Sequence, residues 1–132
     1  MSNYILDKAY KITDASGVGA NLVVVQDTND GECALPGAAN AAKILGVTTF
    51  AQSNQDKSVS LRKAGVARVV ASGSISAGDP VNIAGTSGKI KTVNESGGTL
   101  VNCLGFAETS ASADGDIIDV FLSVHQRLVP SA

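Results

Sequence analysis

Every apolar run in this chain is cut short by a turn signal. Leu22-Val23-Val24-Val25 gives way to Asp27-Thr28-Asn29-Asp30-Gly31, Val47-Thr48-Thr49-Phe50 to the polar stretch Gln52 to Lys57, and Val66-Ala67-Arg68-Val69-Val70 to Ser72-Gly73. Gly, Asn and Asp accept the conformations that reverse a chain, whereas β-branched residues favour the pleated strand between reversals. Runs of this length suit hairpins rather than helices. The expected fold is all-β, a small β-barrel or β-sandwich of short hairpins. One short helix is expected near 38–45, where an alanine-rich stretch follows Pro36-Gly37 and closes on Gly46 as a glycine C-cap. At 132 residues the chain fits one domain, large enough to fold without metal or disulfide staples.

Residues 1–18 read as an extended N-terminal arm or as a first strand, with 19–132 as the β-rich domain. Tyr4, Leu6, Tyr10 and Ile12 share one face of an extended segment, with Lys8 breaking the alternation. An arm of this kind, carried by Asn3, Tyr4, Ile5 and Leu6, can add itself to a partner's sheet edge. An internal first strand explains the same residues equally well.

The second half repeats the grammar of the first. At an offset of 59 residues, Leu45-Gly46-Val47 falls on Leu104-Gly105-Phe106, Val59 and Leu61 on Ile118 and Val120, and Arg68-Val69-Val70 on Arg127-Leu128-Val129. A duplication would give pseudo-repeats over 12–70 and 71–129, packed into one barrel or sandwich that hides its edges. The helix at 38–45 would then face a divergent loop, Glu95-Ser96-Gly97-Gly98.

Charge and composition exclude several partners. Ten basic and twelve acidic residues leave a net charge of -2 with no basic stripe, which argues against nucleic acid. Asp7, Lys8 and Lys11 interrupt any apolar core near the start, so neither a signal peptide nor a membrane span is expected there. Cys33 and Cys103 stand far apart and fit two buried free thiols in a reducing cytoplasm.

Chemistry is thin. His125, the sole histidine, lies in Leu122-Ser123-Val124-His125-Gln126 without an acid or cysteine at ligand spacing, and reads as a strand residue. Ser72-Gly73-Ser74-Ile75-Ser76 lacks the strand-to-helix context of a nucleophile elbow, and Gly17-Val18-Gly19 lacks the third glycine of a dinucleotide fingerprint. Asp114-Gly115-Asp116-Ile117-Ile118-Asp119 lacks the distal Glu of a calcium loop and reads as a hairpin turn. No catalytic residue, metal or cofactor is expected.

Order and spacing nevertheless carry a resemblance. Lys43-Ile44-Leu45-Gly46-Val47-Thr48, a polar loop, Lys57 to Ala67 passing through Gly65, Ser76-Ala77-Gly78-Asp79-Pro80-Val81, and Leu104-Gly105-Phe106-Ala107 before Gly115-Asp116 resemble the capsid decoration, or cement, proteins of tailed bacteriophages. Leu45, Gly46, Gly65, Gly78, Asp79, Leu104 and Gly105 form the turn and core pattern of that likeness, which spans roughly residues 19 to 125. The resemblance implies a non-enzymatic protein made in the host bacterial cytoplasm. It implies binding to major capsid protein on the outer surface of the expanded head, commonly as a homotrimer, and stabilisation of the shell. An N-terminal arm touching the capsid would give Asn3 to Leu6 a role. A host- or carbohydrate-binding β-module of a virion or bacterial surface is the alternative. Only Tyr4, Tyr10, Phe50, Phe106 and Phe121 could serve as its aromatic platform, and Phe106 and Phe121 follow core-like strand patterns.

Overall fold

The computed structural model describes residues 5–93 and 99–129, so Asn3, Tyr4 and the loop Glu95-Ser96-Gly97-Gly98 lie outside the described residues. Ten strands carry the fold: β1 Leu6–Ile12, β2 Val23–Gln26, β3 Glu32–Ala34, β4 Ile44–Thr48, β5 Ser58–Ala64, β6 Val66–Val70, β7 Pro80–Ile83, β8 Ile90–Thr92, β9 Thr99–Ala107 and β10 Ile117–Val129. The first five close into a barrel in the order β1-β3-β2-β4-β5, and the other five form a sheet in the order β6-β10-β9-β7-β8. The barrel encloses Tyr10, Ile12, Val18, Val24, Cys33, Val59 and Leu61. A larger core lies under the second sheet and takes in Val23 and Val47 from the barrel's outside.

The two halves share one topology. Read from its first strand, the barrel runs β1-β5-β4-β2-β3 and the sheet β6-β10-β9-β7-β8. The barrel closes through the parallel pair β1 and β3, and the sheet has a parallel bridge at the matching place, Ala71 to Ile90. Registers agree as well. Tyr10 opposes Val59 and Lys8 opposes Leu61 in the first half, while Val69 opposes Ile118 and Ala67 opposes Val120 in the second. Thr48 opposite Leu61 corresponds to Ala107 opposite Val120. Each of these pairs maps onto its counterpart at the 59-residue offset read from the sequence, but the expected bounds 12–70 and 71–129 are corrected: Val66–Val70 opens the second unit and corresponds to β1, so Arg68-Val69-Val70 does not match Arg127-Leu128-Val129.

Close approach explains the two matched glycines. A Cβ on Gly46 would meet the carbonyl oxygen of Arg62 at 2.5 Å, and one on Gly105 would meet that of Phe121 at 2.0 Å. Beside each glycine the pairing slips. The register of β4 against β2 passes over Leu45, and that of β9 against β10 shifts between Leu122 and His125, next to Leu104. The slips turn Leu45 and Leu104 inward and leave Val47 and Phe106 on the outer face.

The helix expected near 38–45 does not form. Residues 38–43 are a turn, and Ile44 and Leu45 already belong to β4. Asn40 and Lys43 adopt φ of 59° and 61°, outside the helical region. Their neighbourhood bonds elsewhere: the Asn40 N–H donates to the Ile83 carbonyl, and the Lys43 carbonyl accepts from the Gln26 N–H, both at 2.9 Å. Tertiary hydrogen bonds outweigh the weak helix preference of a short alanine run. Polar side chains extend this clasp. Buried Asn82 donates to the Asn40 side chain, Asn102 donates to the Asn40 carbonyl, and Gln126 donates to Asn102.

Gly46→Ala and Gly105→Ala should each cost about 3 kcal/mol or more, because the clash is with backbone that cannot move alone. Thermal melts read this as a fall of ~10 °C, whereas Gly85→Ala, whose Cβ would meet nothing within 4 Å, should melt like the parent.

Candidate functional site

The residues singled out from the sequence hold turns and strand crossings. Gly65 adopts φ of 93° between β5 and β6, and its carbonyl accepts from the Leu122 N–H at 2.9 Å. Gly78, at φ of 91°, donates to the Ala107 carbonyl at 2.7 Å. The Asp79 carboxylate accepts from the Ser76 N–H at 3.1 Å and from the Thr92 hydroxyl at 3.0 Å, pinning that turn to β8. Leu104 is fully buried, and Leu45 is packed on the barrel core. At the chain start, Ile5 and Leu6 are exposed, as is Lys8 in phase with Leu6, because only the second half of β1, through Tyr10 and Ile12, reaches the barrel core.

The polar groups that could invite chemistry are occupied with structure. Asp116 accepts from the Ser112 N–H at 2.9 Å, the Ser112 hydroxyl at 3.1 Å and the Ala113 N–H at 3.1 Å. These bonds, led by that of the Ser112 backbone, hold its carboxyl below the ordinary range. Asp27 is lowered first by the Thr13 hydroxyl. Cys33 is buried, and burial, followed by the nearby charges of Asp14 and Asp27, pushes its thiol up to about 11. His125 sits in β10 with its ring stacked on Phe106, centroids 5.5 Å apart. A cleft of about 130 Å³ between barrel and sheet is lined by Asn21, Val47, Thr48, Thr49, Arg62, Ala67 and Arg68 and holds no acid, histidine or cysteine. Among the described residues no three His, Cys, Asp or Glu side chains come together as a metal group.

What the structure does assemble is an apolar face. Val66 opposes Phe121, Phe121 opposes Phe106, and Phe106 opposes Pro80, so one row crosses β6, β10, β9 and β7 on the outside of the second sheet. Phe121 is 48 % exposed and Phe106 36 %. Ile117 stands on the same face of β10, and beyond the slip the cross-strand pair Leu100 and Leu128 is 62 % and 61 % exposed. The core placement expected for Phe106 and Phe121 is thereby corrected. Simple alternation puts Phe106 on the side of Leu104, and the slip at Leu104 reverses it.

The barrel shows that the fold does not demand this row. The corresponding row runs Asp7, Arg62, Val47, Val23 across β1, β5, β4 and β2. Arg62 donates to Asp7 from Nε at 3.0 Å and from Nη2 at 3.3 Å, and Val47 and Val23 are buried under the second sheet. An ion pair and two covered valines on one half thus match exposed Val66, Phe121 and Phe106 and half-buried Pro80 on the other. Contiguous exposed apolar surface of this kind marks an interaction site.

Acid should expose the role of Asp116. A carboxyl lowered in the folded state stabilises the fold above its unfolded pKa and loses that contribution as pH falls through the folded value, so the window lies below about pH 4. Asp116→Asn should melt lower than the parent at neutral pH and converge with it in acid. Native Cys33 should resist alkylation at pH 8, and both cysteines should react once the chain is denatured.

The fold is similar to that of the head fibre gp8.5 N base of bacteriophage phi29, with a TM-score of 0.64 at 17 % identity, covering 91 % of this chain and 95 % of that one. No curated protein matches the sequence significantly. The family model described as phage cement protein matches residues 7–122, and this chain belongs to that family of virion structural proteins, whose role is capsid decoration.

Proposed function

We propose that this chain is a non-enzymatic cement protein that binds the outer surface of the mature head between major capsid subunits and stabilises it there as a homotrimer. The observation that carries the reading is the uncovered apolar row, since a side chain such as Phe121 gains about 1.5–3 kcal/mol when taken out of water. A chain that leaves several such groups exposed is suited to work as part of a larger assembly. Stabilisation needs no catalysis. A protein that binds the expanded lattice and not its precursor shifts that equilibrium by mass action, and three linked copies multiply weak contacts into avidity. The start of β1 supplies a second contact. Exposed Ile5 and Leu6 belong to the segment Asn3 to Leu6 that the sequence offers as the arm meeting the major capsid protein.

Co-sedimentation with expanded heads, with unexpanded proheads as the control, tests the reading. Saturable binding to expanded heads alone, with raised resistance to heat, is expected. Removing residues 1–5 should weaken that binding at least tenfold while the circular dichroism and melting temperature of the free protein stay unchanged. Failure to bind either particle would contradict the cement role and direct attention to glycan recognition.

A further inference from the structure

We infer that the free edge of β10, from Ser123 to Val129, takes an extended acidic segment of the shell protein as an added strand. This rests on the proposed function and deepens it by naming where on this chain the partner's backbone pairs. β6 runs beside β10 only from Ile117 to Phe121, and one further bond, from the Leu122 N–H to the Gly65 carbonyl, ends that ladder. β10 continues to Val129 with β9 on its other side, where Val129 opposes Thr99. Among the described residues no strand lies against the open side of that stretch. A strand paired on one side alone turns every second N–H and C=O outward, and such an edge is a template for another chain. Between Ser123 and Val129 there is neither the lysine nor the proline that commonly guards an exposed edge.

The side chains of the stretch specify the occupant. Val124, Gln126 and Leu128 alternate onto one face, where Val124 is 54 % and Leu128 61 % exposed and Leu100 stands opposite Leu128. His125 is held by contacts of its own, with Nδ1 donating to the Ser123 carbonyl at 2.5 Å and the ring stacked on Phe106. Arg127 is exposed and, among the described residues, has neither an ion pair nor a hydrogen bond. No acid occurs in β9, nor in β10 beyond Asp119. A strand that sets apolar residues against Val124 and Leu128 and a carboxylate against Arg127 satisfies the edge as a whole. The same edge of a second copy does not, because it brings another Arg127 and no acid, and like charges across a ladder repel.

Hydrogen exchange read by mass spectrometry, on expanded heads decorated with the full chain and on the free chain, tests this. Amides of residues 123–129 should exchange quickly in the free chain and be protected on heads. Arg127→Glu should keep the circular dichroism and melting temperature of the parent and bind heads about fivefold more weakly. Decorated heads on which 123–129 exchanges as in the free chain, or an Arg127→Glu variant that binds like the parent, would overturn the proposal and leave the cement role standing. Protection in the free chain that grows with its concentration would assign the edge to a second copy, and the proposal would fall. If the chain binds no heads, the cement role fails, and two capped peptides of alternating Val and Thr, one with a central Glu and one with a central Lys, decide the matter. Amide shifts at 123–129 of the isolated chain should saturate about fivefold more tightly with the Glu peptide, and the order should reverse in Arg127→Glu. Equal affinity for the two peptides, or shifts confined to other strands, would overturn the proposal.

Discussion

Two strand crossings with no room for a side chain govern the rest of this structure. At Gly46 against Arg62 and at Gly105 against Phe121, backbone approaches backbone so closely that any Cβ would collide with a carbonyl. Each crossing fixes the register of its strand pair, and each is followed by a slip that turns Leu45 or Leu104 inward. The next residue but one, Val47 or Phe106, then has no choice but to face outward. A one-residue change of register would exchange the two faces of the strand, so inside and outside in both halves depend on those glycines.

The same geometry serves opposite ends in the two halves. In the barrel, the outward row is closed off by the Asp7 and Arg62 pair at one end and by the second sheet at the other. An exposed ion pair of this sort contributes little stability, and its larger effect is to keep that strip of surface soluble and unattractive. In the second sheet the row is apolar throughout, and the free chain leaves it exposed. Burying it on assembly would take that apolar surface out of water, which suits a family of structural virion proteins.

Much of this was legible beforehand. Short β-branched runs between Gly and Asp turns announced an all-β chain, and the match of Leu45-Gly46 with Leu104-Gly105 anticipated the shared registers. What escaped was set by tertiary structure. The stretch from Ala38 has helical composition, but the hydrogen bonds of Asn40 to β7 and of Lys43 to β2 claim its backbone. Phe106 follows an alternation that a slip interrupts, and the slip leaves no local mark beyond a nearby glycine. The clasp of Asn40, buried Asn82 and Asn102 joins residues far apart in sequence, so no motif could display it.

The central claim is that the outer face of the second sheet exists to be covered. A density map of expanded, decorated heads at side-chain resolution tests it most directly. Phe106 and Phe121 should lie against protein, with Ile5 and Leu6 turned toward the shell. A map in which that face looks out into solvent while the particle is fully decorated would contradict the claim.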